Sequence, residues 1–481
     1  MMKRKLSSLI ILALFLPSII LAQSNNNTRL EESLNLIEVW IEAQMAYEQI
    51  PGMAAGLAYK DKVIWQKAFG VTGLEEKAPT QTNTIYSICS ISKLFTSIAV
   101  MQLRDKGLLR LDDPVGKHLS WFNIEQVYPD SPPITIEALL THSSGLPRES
   151  DFPYWNAPDY PFPTREEMIK KLAKQKTLYP SDKHYQYSNL ALTLAGEIVA
   201  AVSGEKFEEY VEKNIIDPLK LNDTRTEMPE ELHGNQLAIG YSSKTRESKR
   251  IKQPFFQAKA ITPAAGFSST VEDLIKFGMW QTDLLENGGT KIIKANTLKE
   301  MHRVHWLEPN WKTARGLGFG VYRNKDVTFV GHQGSCPGYR TALMIQPDKK
   351  VVSVFLANAS GVSVGQLAQT AYKIVASVLE GNSDETKLIM DESLKKYIGT
   401  YSYETWGGEG AIIPWEGGLA LLDLPTSSPL DNLSKLKHIK NNTFKRVRDD
   451  GELGEEIIFI SDENGNVVSY YQHSNYWKKI K

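Results

Sequence analysis

The sequence predicts an α/β (α+β) domain, an antiparallel sheet covered by helices, followed by a small all-β barrel. Three observations carry this. From about residue 30 to 380, strand-like and helix-like stretches alternate, and the strand-like ones pair as hairpins across charged turns. After residue 390 the helical texture gives way to short strands broken by Gly, Asn and Asp. The chain has 481 residues with 42% hydrophobic side chains, which suits one large core plus a smaller module.

The N-terminus reads "MMKRKLSSLIILALFLPSIILAQSNNN". Lys3, Arg4 and Lys5 precede an apolar stretch from Leu6 to Leu21, and Ala22 is a small residue before a polar run. This is the layout of a secretory signal peptide, residues 1–22, cleaved after Ala22. An uncleaved membrane anchor is the other reading, disfavoured because the run is short for a spanning helix and contains Pro17. No cysteine follows the site, so a lipoprotein is not expected. With no later transmembrane segment, the mature chain is expected in the periplasm or outside the cell, where cysteines can be oxidised.

Further along, "AAGLAYKDKVIWQKAFG" is a hairpin signal, and "SKLFTSIAVMQLRDKGLL" is a helix stopped by Gly107. Proline-rich aromatic loops ("VYPDSPPI", "DFPYWNAPDYPFPT") lead to a helix in "NLALTLAGEIVAAVSG". A second hairpin, "RTALMIQPDKKVVSVFLANAS", turns at Pro347 and Asp348, and "GQLAQTAYKIVASVLEG" forms the last helix. The main domain is thus expected over 23–380, a polar linker over 381–390 and the all-β module over 391–481. With 55 basic against 56 acidic side chains, no basic patch suggests a nucleic-acid partner.

The chemistry centres on "SICSISKLFTS". Ser90 and Lys93 sit three apart at a helix start and share a face. A desolvated lysine can activate a serine hydroxyl, and a helix N-terminus favours a developing oxyanion. Alone the motif is weak: Ser203/Lys206, Ser393/Lys396 and Ser434/Lys437 share the spacing, and Ser90 could simply be a helix cap. "HYQYSNLALTLAG" adds Tyr187, a possible proton shuttle, and Asn189, able to hold the lysine and a substrate carbonyl. Their plain alternatives are a half-buried aromatic and a helix cap. "FVGHQGSCPGYRT" adds His332 and Gly334 on a strand, where glycine permits close approach to a ligand.

With S-x-x-K, Y-x-N and H-x-G in that order, the sequence resembles the penicillin-recognising serine hydrolases, the class C β-lactamase-like esterases, D-aminopeptidases and D,D-peptidases. "LLTHSSGLP", "AAGFSSTVEDLIKFG" and "GLGFGVY" extend the likeness over roughly residues 45 to 380. The resemblance implies a β-lactamase/transpeptidase-like fold and an acyl-enzyme mechanism without cofactor or metal. Ser90 would be acylated, Lys93 and Tyr187 would exchange its proton, and Asn189 would position lysine and substrate. Backbone N–H groups of Ser90 and Ser335 would form the oxyanion hole. The His302/His305 pair lacks an evident third ligand for zinc.

True β-lactamases of this kind carry lysine where this chain has His332, so the departure points toward esters or D-amino-acid-containing peptides. β-Lactamase or D,D-carboxypeptidase action on peptidoglycan-derived substrates is the competing reading, and a penicillin receptor that acylates without turnover the non-enzymatic one. Arg340 could supply a cation or be a surface side chain. Trp155, with Phe152 and Tyr154, could line an aromatic subsite or anchor its loop. The β module resembles the lipocalin-like domain of such hydrolases. Cys89 and Cys336 match two positions bridged in some class A carbapenemases, which implies a disulfide; two buried thiols are the alternative. The oligomeric state has no signature in the sequence.

Overall fold

The computed structural model describes residues 16–324, 326–381 and 390–481, with side chains from Thr28 onward. Most of the expected signal peptide and of the expected linker lies outside the described residues. The chain divides into two compact units, one formed by Glu48–Gln369 and the other by the segment up to Tyr47 together with Thr370–Lys481.

In the larger unit, β1 (Gly52–Tyr59) and β2 (Lys62–Gly70) form the first hairpin. The other strands are β3 (Trp306–Leu307), β4 (Ala314–Arg315), β5 (Gly320–Asn324), β6 (Val327–Cys336), β7 (Tyr339–Gln346) and β8 (Val351–Ala357). They form one eight-stranded antiparallel sheet in the order β2-β1-β8-β7-β6-β5-β4-β3. Because β8 inserts beside β1, the chain's late strands close against its earliest one. Strands buried at nearly every position, such as β8, mark the sheet as covered on both faces.

The helix α1 is Leu16–Glu48, α2 Ser92–Asp105, α3 Asn189–Ser203 and α4 Val271–Asn287. Ser92 to Leu103 of α2 are all buried, so this helix runs through the core instead of lying on it. It packs on α3, and Phe95 stacks on Phe277 of α4 with ring centroids 4.4 Å apart. α4 in turn lies on β1 and β8. α3 stops where Gly204 takes a left-handed φ of 74°, the glycine stop read in the sequence.

The smaller unit is a closed barrel of eight strands, from β9 (Gly399–Ser402) round to β16 (Asn475–Lys479), which pairs back onto β9. Aromatic rings fill its interior. The Phe459 ring lies 4.6 Å from that of Tyr397 and 5.7 Å from that of Tyr470. α1 belongs to this unit: Trp40 Nε1 and Gln44 Nε2 both donate to the Thr426 carbonyl, at 2.8 and 2.6 Å. The Glu32 carboxylate accepts from the Glu416 N–H at 2.8 Å. The 33-residue α1 begins before the point where the alternating pattern becomes legible, and no helix among the described residues is long and apolar enough to cross a membrane.

Cys89 and Cys336 form a disulfide with Cα atoms 5.8 Å apart, joining the segment that enters α2 to the end of β6. Thiol titration of denatured, unreduced protein is therefore expected to find no free thiol, and two would contradict it. Replacing both cysteines by alanine should lower the unfolding free energy, read from urea denaturation, by up to about 5 kcal/mol on the chain-entropy account of so long a loop.

Candidate active site

Ser90 lies in a 3-10 turn, Cys89–Ile91, that runs straight into α2. Cys89 has a φ of 49°, a left-handed conformation unusual for a non-glycine residue. Neither the turn nor α2 has a side-chain cap, so Ser90 is not spent on capping. Its Oγ instead accepts a hydrogen bond from Lys93 Nζ at 3.2 Å. The other S-x-x-K pairs find separate partners: Lys206 meets Glu209, Lys396 donates to Asn442 and Ser434 accepts from Arg446.

The Lys93 side chain is fully buried. Its amine also donates to Asn189 Oδ1 at 2.8 Å and to the Ala264 carbonyl at 2.7 Å, so all three donors have acceptors. Burial holds its proton affinity well below that of an ordinary lysine; the Glu149 carboxylate opposes this, while Arg148 and Arg315 add to it. An amine whose hold on its proton is weakened in this way, 3.2 Å from the Ser90 hydroxyl, is chemically able to act as a base toward it. Asn189 can serve Lys93 because Ser188 caps α3, its side chain accepting from the Ala191 N–H at 2.9 Å.

Behind Asn189 stands Glu149, which sequence reasoning did not single out. Its Oε1 accepts from Asn189 Nδ2 at 2.8 Å, from Trp155 Nε1 at 3.2 Å and pairs with Arg148 Nε at 3.1 Å. Its Oε2 accepts from the Tyr154 hydroxyl. Trp155 therefore supports the carboxylate that orients Asn189, and its ring packs on Phe162 at 5.0 Å. Tyr154 is fully buried. The aromatic loop is thus linked to Asn189 through Glu149.

Tyr187 is half-buried, and Ser90 is among the groups that act on its phenol. Burial raises its phenol above the usual range, and Ser90, Arg315 and Arg148 draw it back. Lys93 Nζ lies 5.0 Å from the centre of its ring, and Arg148 Cζ 4.9 Å. His142 stacks on the same ring at 4.3 Å and accepts the Ser188 N–H on Nδ1. The His332 ring is 6.2 Å from that of Tyr187. Burial, reinforced by Lys93 and Arg315, pulls the imidazole of His332 down to about 3. Its Nδ1 lies 2.7 Å from the Gln333 carbonyl, so the neutral ring carries its proton there.

On β6, Gly334 passes so close to the serine segment that an added Cβ would lie 2.3 Å from the Ile88 carbonyl oxygen and 2.0 Å from Thr341 Oγ1. That approach, with the disulfide, brings Ser335, which is exposed, to the edge of the site. One guanidinium nitrogen of Arg340 donates to the Cys336 and Tyr339 carbonyls at 3.1 and 2.8 Å. His302 and His305 are held apart from the site: His302 Nε2 bonds Gln281 Oε1 and His305 Nδ1 meets Glu137.

Gly334→Ala should cost about 1–3 kcal/mol or more, because one clash is with backbone. The urea midpoint reads it, and combination with Thr341→Ala should recover only part. Full recovery would mean that the Ile88 carbonyl is not the limiting contact.

Comparison with known proteins agrees with this geometry. The sequence matches the family described as "Beta-lactamase" over residues 37–376. It is 26% identical to "Beta-lactamase-like protein 2" of Dictyostelium discoideum over 391 residues, 79% of this chain and 70% of that protein. It is also 26% identical to "Protein flp" of Staphylococcus aureus strain MW2, over 74% of this chain and 71% of the relative. Among solved structures, the octameric penicillin-binding protein homologue from Pyrococcus abyssi superposes with a TM-score of 0.63 and 27% identity, covering 92% of this chain and 100% of that one. The chain belongs to the β-lactamase family.

Proposed function

We propose that this protein is an exported serine hydrolase that works through an acyl-enzyme on Ser90, with esters or D-amino-acid-containing peptides as substrates. The observation that carries the reading is the buried Lys93 amine, 3.2 Å from Ser90 Oγ, with a proton affinity that burial holds well below that of an ordinary lysine. As Ser90 Oγ bonds to the substrate carbonyl carbon, its proton passes to the Lys93–Tyr187 pair. The resulting oxyanion is held by the backbone N–H groups of Ser90 and Ser335. Collapse breaks the bond to the leaving oxygen or nitrogen, which takes the proton. A water then attacks the acyl carbon, giving its proton to the same pair, and the acid departs as Ser90 recovers its hydrogen.

Asn189 and His332 face the substrate in this reading, and Gly334 gives it room. The disulfide supports export, since such bonds persist in oxidising compartments. Action on β-lactams or as a D,D-carboxypeptidase is the competing reading, favoured by the likeness to a penicillin-binding protein homologue. A neutral His332 weighs against it, because that position offers no cation to a fixed anion.

A panel of short-chain aryl esters, D- and L-aminoacyl anilides and a chromogenic cephalosporin should show turnover that falls about 10³-fold or more in Ser90→Ala. Equal turnover in both proteins would refute the Ser90 mechanism. A stable acyl adduct in the mass spectrum without product release would point to a receptor. Cephalosporin as the best substrate would select the β-lactamase reading.

Glu149→Gln should lower kcat/KM by roughly 10–100-fold. Removing that carboxylate lowers the proton affinity of Lys93 further, since Glu149 is what raises it. The rising limb of the pH–rate profile, set by loss of the Lys93 proton, should accordingly move to lower pH. A limb that stays put, or moves up, would show that Glu149 does not act through Lys93.

A further inference from the structure

We propose that a cleft between α1 and the outer wall of the barrel binds a small organic ammonium ion with an apolar body, its cation set against Glu409. The site lies wholly within the smaller unit and uses none of the side chains around Ser90.

The barrel is apolar on both faces where α1 lies on it. Two neighbouring strands, β10 (Glu409–Trp415) and β11 (Gly418–Leu424), form this part of the wall. Ile412, Leu419 and Leu421 belong to the aromatic-filled interior. Side chains alternate across a strand, so Ala411, Ile413 and Leu424 point outward, yet each is at most 5% exposed. The cover is α1, whose Asn35, Val39, Ala43 and Ala46 recur at helical spacing and line the cleft from the other side. Bonds from Trp40, Gln44 and Glu32 fasten the helix to the barrel. Where the two faces meet, Ala43, Ala46 and Ala411 carry a single methyl each, and the walls leave a space of about 430 Å³. Packed interiors keep few voids larger than a water molecule, and a space of this size is that of a small-molecule site.

Among the described residues, three charged side chains line the cleft. Glu42 and Lys481 pair with each other. Glu409 has neither a hydrogen bond nor an ion pair among the described residues, and burial raises its proton affinity with nothing to offset it. It is half-buried and stands opposite Leu424 in the β10–β11 pairing, so it shares the outward face that lines the cleft. Burial raises the Tyr47 phenol and the Glu409 charge adds to it, which sets the carboxylate beside the last turn of α1. A carboxylate drawn out of water without a donor is stabilised most by a cation, and an ammonium group brings both charge and N–H donors. The apolar walls take the rest of the ligand. An anion would meet an unbalanced negative charge, and a neutral molecule would leave Glu409 without its counter-ion.

The test measures binding of three probes of equal chain length, octylammonium, octanol and octanoate, to the full chain by calorimetry near neutral pH and low salt. Octylammonium should bind about tenfold or more tightly than octanol, with octanoate the weakest. Glu409→Gln should bring octylammonium and octanol within about twofold of each other. Ala46→Phe, at an exposed position, should fill the cleft and weaken all three by about tenfold or more. Hydrogen exchange with octylammonium bound should show added protection in α1 and β10. Absence of octylammonium binding up to about 5 mM, equal affinity for the three probes, or an unchanged amine preference in Glu409→Gln would overturn the proposal. Binding that Ala46→Phe leaves intact would put the amine elsewhere and overturn it as well. If either variant fails to fold, the wild-type order of the probes and the exchange map decide: protection confined to segments outside α1 and β10 refutes the site.

Discussion

Placing a lysine amine in the first turn of a core helix is the constraint to which the neighbouring structure answers. Lys93 lies on α2, where every residue from Ser92 to Leu103 is buried, and a charged amine there would cost several kcal/mol. Two features reduce that cost. Burial loosens the amine's hold on its proton, and three acceptors from three parts of the chain surround it: Ser90 on the preceding turn, Asn189 on α3 and the Ala264 carbonyl. Each acceptor needs its own support. Ser188 caps α3 so that Asn189 is released, and Phe95 stacks on Phe277 to hold α2 against α4.

The same logic explains Glu149. A carboxylate with four donors on it is a rigid post, and the Asn189 amide is fixed by being bonded at both ends. The aromatic loop carrying Tyr154 and Trp155 is thereby tied to Ser90 through a continuous chain of hydrogen bonds. Such a chain is worth more complete than in parts, because any member left unpaired inside the protein costs its full desolvation.

Much of this was legible in the sequence where the signal is local. Gly107 and Gly204 mark the ends of α2 and α3, and the turn at Pro347 and Asp348 marks the β7–β8 hairpin. The three short motifs name Ser90, Lys93, Tyr187, Asn189, His332 and Gly334 because each needs a particular local structure. The cysteine pair was legible by resemblance. Glu149 and Arg315 were not, since an isolated glutamate or arginine carries no pattern, and their partners lie on other elements. Trp155 was legible as an aromatic of its loop, but its bond to a carboxylate six positions away was not. The placement of α1 beside the barrel depends on contacts across almost the whole chain, such as Trp40 to Thr426.

The bond between Cys89 and Cys336 also sets an order of events. The two sulfurs are separated by 247 positions, and a ribosome makes the earlier one long before the later. Until β6 is made and docks, the serine segment has neither its covalent tether nor the glycine strand lying against Ile88. A chain still in synthesis therefore carries an incomplete Ser90 site. Completion of the fold and closure of this site become one step, which needs surroundings where thiols can be oxidised.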